Sequence, residues 1–154
     1  MDEKPFHIDS LLEKATDMIP ESLFTTPTLA IELEYLGKSI QALVDTGAQM
    51  SEISWESLQT LGLENCIDYQ SEGILSGVNS KDSLLGKVHF IEFTAVRGYV
   101  TIPISLSVLQ ANTKSDIDMI LGMDFLVRVG AIINLKRREL NVNGTVIPMV
   151  PHKD

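Results

Sequence analysis

The stretch Ala42-Leu43-Val44-Asp45-Thr46-Gly47-Ala48 constrains this chain more than any other. Three apolar residues read as the end of a buried strand, and the residue that follows them is an acid. A carboxylate in such a place is costly unless it is hydrogen-bonded or shares a proton, so its surroundings must be built around it. Thr46 offers a hydroxyl that can fix neighbouring backbone, and Gly47 lets the chain pass close to another backbone with no Cβ in the way. The motif presents the carboxylate of Asp45 on a rigid turn, where chemistry is the reason for an acid.

Hydrophobic periodicity divides the rest into a helical start and a β-rich remainder. Ile8, Leu11, Leu12, Ala15, Met18 and Ile19 fall at helical spacing, Ser10 and Glu13 form a capping box, and Pro20 ends the run. From Thr28 the period becomes two: Leu29, Ile31 and Leu33 alternate with Ala30, Glu32 and Glu34. Leu36-Gly37 can then turn the chain into Ile40 to Val44, a hairpin that delivers Asp45. Trp55 to Leu61 reads as a short helix closed by Gly62. Ile67 to Leu75 and Leu84 to Phe93 read as strands around a segment rich in Gly, Ser and Asn. Tyr99 to Leu109 is a further strand, in which Pro103 implies an edge or a bulge. Gln110 to Ser115 is a polar loop, Ile117 to Leu121 carries the chain back beneath Asp45, and Met123 to Val129 is a short helix. Asn143-Gly144 between Leu140-Asn141-Val142 and Thr145-Val146-Ile147 marks a tight hairpin.

Composition excludes several classes. A chain of 154 residues with 44% hydrophobic content holds one domain with a proper core. Its net charge of −9 argues against nucleic-acid binding, and Lys136-Arg137-Arg138 reads as a solvated turn between strands. The single Cys66 and the lack of an N-terminal apolar run point to a cytoplasmic or nuclear setting, and no run reaches membrane-spanning length. His7, His89 and His152 are scattered, so neither a metal nor a cofactor is expected, and Gly73 to Gly77 has no lysine in P-loop position.

About 75 residues after Asp45 comes Ile120-Leu121-Gly122-Met123-Asp124-Phe125-Leu126, followed by Val129-Gly130-Ala131-Ile132-Ile133-Asn134-Leu135. With the Asp45 motif, in this order and spacing, these segments resemble the two signatures of the retropepsin-like aspartic proteases. The words Pro20-Glu21-Ser22, Val44 to Ser51, Gly77-Val78, Gly86-Lys87-Val88-His89 and Asp118 to Asp124 resemble more closely the protease domain of the Ddi-type (DNA-damage-inducible) ubiquitin-pathway shuttles. Viral members usually pair an acid two residues after the catalytic triplet with an arginine after the later Gly. Here those places hold Gln49 and Met123, so both partners are absent together.

The resemblance implies a mostly β fold: a retropepsin-like acid-protease β-barrel subunit with one or two short helices and an N-terminal helix, homodimeric. Residues 1–20 would be an N-terminal helix or linker, 21–150 the protease domain and 151–154 a tail. The helix reads either as a remnant of the helical region that precedes the protease domain in Ddi-type proteins, or as an amphipathic helix that packs on the domain or meets a partner. A two-lobed pepsin-like enzyme would need about twice the length and a second triplet. One triplet implies that two copies each contribute Asp45, holding a water between them for hydrolysis of a peptide or unfolded protein. The catalytic residues implied are Asp45, Thr46 and Gly47; Ala48, Gln49, Glu52, Gly77, Val78, Asn79 and Ile120 are implied to line the substrate. Gly77-Val78-Asn79 stands where the family has a flap tip, with Asn79 replacing the Gly of the Ddi-type pattern. Glu52, seven places after Asp45, stands where retropepsins usually carry a small apolar pocket residue. Asp124 reads as a helix-start acid favoured by the dipole rather than a second catalytic acid. Two alternatives stay open: a non-catalytic dimeric module that binds peptide or protein, and a dimerising scaffold whose partner is recruited by the N-terminal helix.

Overall fold

The computed structural model describes residues 28–70, 83–110 and 117–152. Strands β1 (Leu29–Tyr35) and β2 (Lys38–Val44) pair antiparallel with Ile31 opposite Ala42 and Leu33 opposite Ile40, and these four side chains enter the core together. Leu36 and Gly37 join the strands with φ of 46° and 81°. Two consecutive left-handed residues make the tight turn whose twist matches that of the strands. The hairpin expected from alternation is formed, and it delivers Asp45 at the end of β2.

Strand β3 (Glu52–Ser54) leads into helix α1 (Trp55–Thr60), capped by Ser54 Oγ, which accepts the Ser57 N–H at 3.1 Å. The expected closure at Gly62 is present: with φ of 75° it sends its N–H to Gln59 O, while Leu63 N–H returns to Leu58 O. A 3-10 turn (Glu64–Cys66) follows.

The strand expected from Ile67 is not formed over the described residues 67–70. Only Asp68 pairs with the sheet, exchanging two backbone bonds with Lys87 at 2.7 and 3.0 Å. Its carboxylate then accepts the Gln70 N–H and meets His89 Nε2 at 3.0 Å. This side-chain turn competes with the ladder and ends the pairing after one residue.

Strands β4 (Ser83–Ala95) and β5 (Val100–Gln110) form a long hairpin with a bulge between Val88 and Ile91. There Phe90 adopts φ of 47° and donates its N–H to Ser105 Oγ. Pro103 sits where an edge was expected, because β3 covers β5 only from Ser107 to Leu109. The chain continues through β6 (Met119–Leu121), helix α2 (Met123–Arg128), β7 (Ile132–Asn134), β8 (Glu139–Val142), β9 (Thr145–Pro148) and β10 (Val150–Pro151). Asn143 and Gly144, with φ of 50° and 86°, make the expected tight turn between β8 and β9. Lys136, Arg137 and Arg138 occupy the exposed turn between β7 and β8.

The large sheet runs β10-β1-β2-β6-β3-β5-β4, and the pair Glu34–Thr94 brings β4 back to β1. Six strands, β1, β2, β6, β3, β5 and β4, thereby close into a barrel. Phe93, Ile102, Ile104, Leu106, Met119 and Leu121 fill it. Leu140, Val142 and Ile147 of the smaller sheet β7-β8-β9 join the same core. The expected N-terminal helix at residues 8–19 lies outside the described residues, as do residues 71–75 of the expected strand and 111–115 of the polar loop.

Candidate active site

Two parallel strands build the centre. Strands β2 and β6 run side by side with Val44 beside Leu121, and Asp45 N–H extends the ladder to Leu121 O at 3.0 Å. The chain then turns: Ala48 N–H reaches Asp45 O at 3.3 Å, and Gly47 N–H donates to Asp45 Oδ1 at 2.8 Å. Asp45 is half-buried, with Thr46 and Gly47 exposed beside it.

A Cβ on Gly47 would lie 3.1 Å from Asp45 Oδ1. Glycine is therefore fitted to the carboxylate of Asp45 rather than to a neighbouring backbone, which corrects the expectation from sequence. Thr46 was expected to fix nearby backbone, but its hydroxyl has no hydrogen-bond partner among the described residues. Thr46 is exposed.

The loop after the triplet is fastened to α2. A helix starts with N–H groups that have no intrahelical acceptor. In α2 the N-cap is Gly122, which has no side chain to help. The loop supplies the acceptors: Gly122 N–H donates to Ser51 Oγ at 3.0 Å, Met123 N–H to Ala48 O at 2.8 Å and Asp124 N–H to Gln49 O at 3.0 Å. Phe125 N–H donates to Asp124 Oδ1 at 2.7 Å, and the same oxygen accepts the Ser51 hydroxyl at 2.7 Å. Asp124 is thus the helix-start acid expected. The approach is close: a Cβ on Gly122 would lie 2.7 Å from the Met50 carbonyl carbon and oxygen.

The register places the remaining residues. Val150, Ala30, Leu43, Ile120, Glu52, Ser107 and Lys87 form one row across the outer face of the sheet, each paired with the next. Neighbours of this row, such as Ala42, Met119 and Ile53, point into the core. Alternation along β2 puts Asp45 on the same outer face as Leu43, Ile120 and Glu52. Gln49 is exposed, Ala48, Glu52 and Ile120 are half-buried, and the carbonyls of Ala48 and Gln49 are engaged by α2. The flap positions Gly77, Val78 and Asn79 lie outside the described residues.

Sequence reading missed Ser51. The signal available was a glycine at the N-cap of α2, whose orphan donors require acceptors from elsewhere in the chain. A separate cleft of about 860 Å³ lies among Glu32, Gln41, Thr94, Arg97, Tyr99 and His152, away from Asp45. Among the described residues no cluster of three His, Cys, Asp or Glu could hold a metal, and no helix is long and apolar enough to cross a membrane.

A family model described as aspartyl protease matches residues 20–134. The chain is 33% identical to DNA damage-inducible protein 1 of Eremothecium gossypii and of Kluyveromyces lactis, covering 96% of this chain in each case and 30% and 34% of those proteins. It therefore spans about a third of the length of these curated relatives. Among solved structures, the retroviral protease-like domain of Ddi1 from Leishmania major superposes with a TM-score of 0.72 at 25% identity, covering 84% of this chain and 99% of that one. The barrel and its two short helices follow the retropepsin-like fold expected from the two signatures.

Proposed function

The chain belongs to the aspartyl protease family, and from that premise we propose that it is an endopeptidase acting as a homodimer, with one Asp45 from each copy at a twofold axis. The observation that carries this reading is the isolation of Asp45. Its Oδ1 is held by Gly47 N–H in the turn after β2, while Asp124 is committed to Ser51 and Phe125. Among the described residues the turn after β2 therefore offers one carboxylate, that of Asp45, to a reaction that needs an acid and a base.

Two such carboxyls about 3 Å apart share one proton on this reading, so that one serves as base and the other as acid. The ionised carboxylate takes a proton from a water held between them as that water attacks the peptide carbonyl. The protonated one donates to the carbonyl oxygen, and the peptide bond breaks from the tetrahedral intermediate. Gly47 N–H keeps one oxygen of each carboxyl in place, and Thr46, exposed and without a hydrogen-bond partner among the described residues, meets the second copy. Ala48, Gln49, Glu52 and Ile120 line the substrate on this reading, and the family resemblance assigns Gly77, Val78 and Asn79 to the same substrate-binding set. The substrate is a peptide or an unfolded protein segment. A cytoplasmic or nuclear setting belongs to the same reading, with the exposed free Cys66 kept reduced there.

Subunit mixing tests it. If each site needs two Asp45 carboxyls, equimolar wild-type and Asp45→Asn chains, re-equilibrated, retain about a quarter of the activity, since only wild-type pairs are competent. Retention of about half would show that each copy acts alone and would remove the shared site.

A further inference from the structure

We propose that Ser51 and Asp124 are positioning residues for Asp45, a role that rests on the catalytic reading above. Ser51 is fully buried, and its hydroxyl does two things at once: the oxygen accepts Gly122 N–H at 3.0 Å while the proton goes to Asp124 Oδ1 at 2.7 Å. Gly122 directly follows Leu121, whose carbonyl receives the Asp45 N–H. Ser51 therefore connects the two ends of the Asp45 turn through one buried hydroxyl. Gln49 and Met123 join the same two segments, but through backbone bonds only. The side-chain tie between the loop and α2 is Ser51 with Asp124.

The arrangement fixes direction as well as distance. Asp124 Oδ1 already accepts Phe125 N–H, so its position is set by the helix, and the Ser51 proton has a fixed target. Without the hydroxyl, Gly122 N–H loses its acceptor in a buried site, and the loop must shift or admit water to satisfy it. Either response moves the backbone between Asp45 and Ser51, on which the aim of the carboxyl depends. A displacement of this kind acts on the transition state more than on substrate binding.

The test uses the full chain as a dimer, with Ser51→Ala, Ser51→Thr, Asp124→Ala and Asp124→Asn. Sites are counted by titration with a peptide carrying a hydroxyl isostere of the tetrahedral intermediate. Per titrated site, Ser51→Ala and Asp124→Ala are expected to lower kcat on the order of 10- to 100-fold with KM within about twofold. Ser51→Thr keeps the hydroxyl and Asp124→Asn keeps the accepting oxygen, so both recover most of the rate. Gly47 N–H, the donor to Asp45, exchanges with solvent faster in the two alanine variants. An unchanged kcat per titrated site in a folded alanine variant overturns the proposal; if Ser51→Ala does not fold, Asp124→Ala decides it. If the wild-type protein cleaves nothing, the catalytic reading fails instead. Gly47 exchange then still decides whether Ser51 positions the loop: unchanged exchange overturns the proposal, faster exchange supports it.

Discussion

Glu52 and Ile120 stand directly opposite one another across β3 and β6, on the outer face that also carries Leu43. Ile53 and Met119, one position along each strand, are buried in the core. An acid therefore occupies a half-buried place beside an aliphatic, on the face to which Asp45 belongs.

The first prediction concerns specificity. On the proposed reading Glu52 lines the substrate, and a half-buried carboxylate there attracts a cation or hydrogen-bond donor and rejects acids. Substrates with Lys, Arg or a polar donor two residues before the scissile bond are expected to be preferred, and Glu52→Ile is expected to shift the preference to aliphatics. Profiling a peptide library checks it; identical profiles for the two proteins mean that Glu52 does not face substrate.

Gly122→Ala tests the approach of α2 to the loop. The new Cβ meets Met50 and Ala48 backbone at 2.7 to 2.8 Å, and backbone cannot rotate away as a side chain can. Overpacking of this kind costs roughly 1–3 kcal/mol. Urea denaturation is expected to show that loss, together with reduced cleavage, since the atoms displaced belong to the Asp45 loop.

Leu140→Ala tests whether the small sheet shares the barrel's core. Leu140 is completely buried on β8 and belongs to the same cluster as Phe93 and Leu106. The substitution is expected to cost about 2–5 kcal/mol and to lower a single unfolding transition. A separate early transition would show that β7, β8 and β9 unfold independently.

Much of this architecture was readable because local chemistry and global fold agree. Leu36-Gly37 and Asn143-Gly144 announce tight turns, and both adopt left-handed backbone. Alternation in β1 and β2 puts Ile31, Leu33, Ile40 and Ala42 in the core. What escaped depends on partners distant in sequence. Ala30 was expected on the polar face, yet it is fully buried between Leu43 and Val150. The chain from Ile67 carries strand-like apolar residues, but Asp68 spends its side chain on Gln70 N–H and His89 and stops the ladder. In the site, Asp45 and Gly47 were legible from their motif. The tie from Ser51 to Asp124 spans 73 positions and has no local pattern.

Replacing Asp45 alone decides whether it is the acid and base of peptide hydrolysis. Wild-type protein and Asp45→Asn are incubated with a diverse peptide library between about pH 4 and 7, after light scattering has shown both to be dimers of equal stability. The near-isosteric amide keeps the fold but can neither accept the water's proton nor donate to the carbonyl. Cleavage is expected from the wild-type protein and reduced by orders of magnitude in the variant. Equal cleavage by both proteins would place the activity elsewhere, and peptide binding without cleavage by either would make the domain a binding module of the same fold.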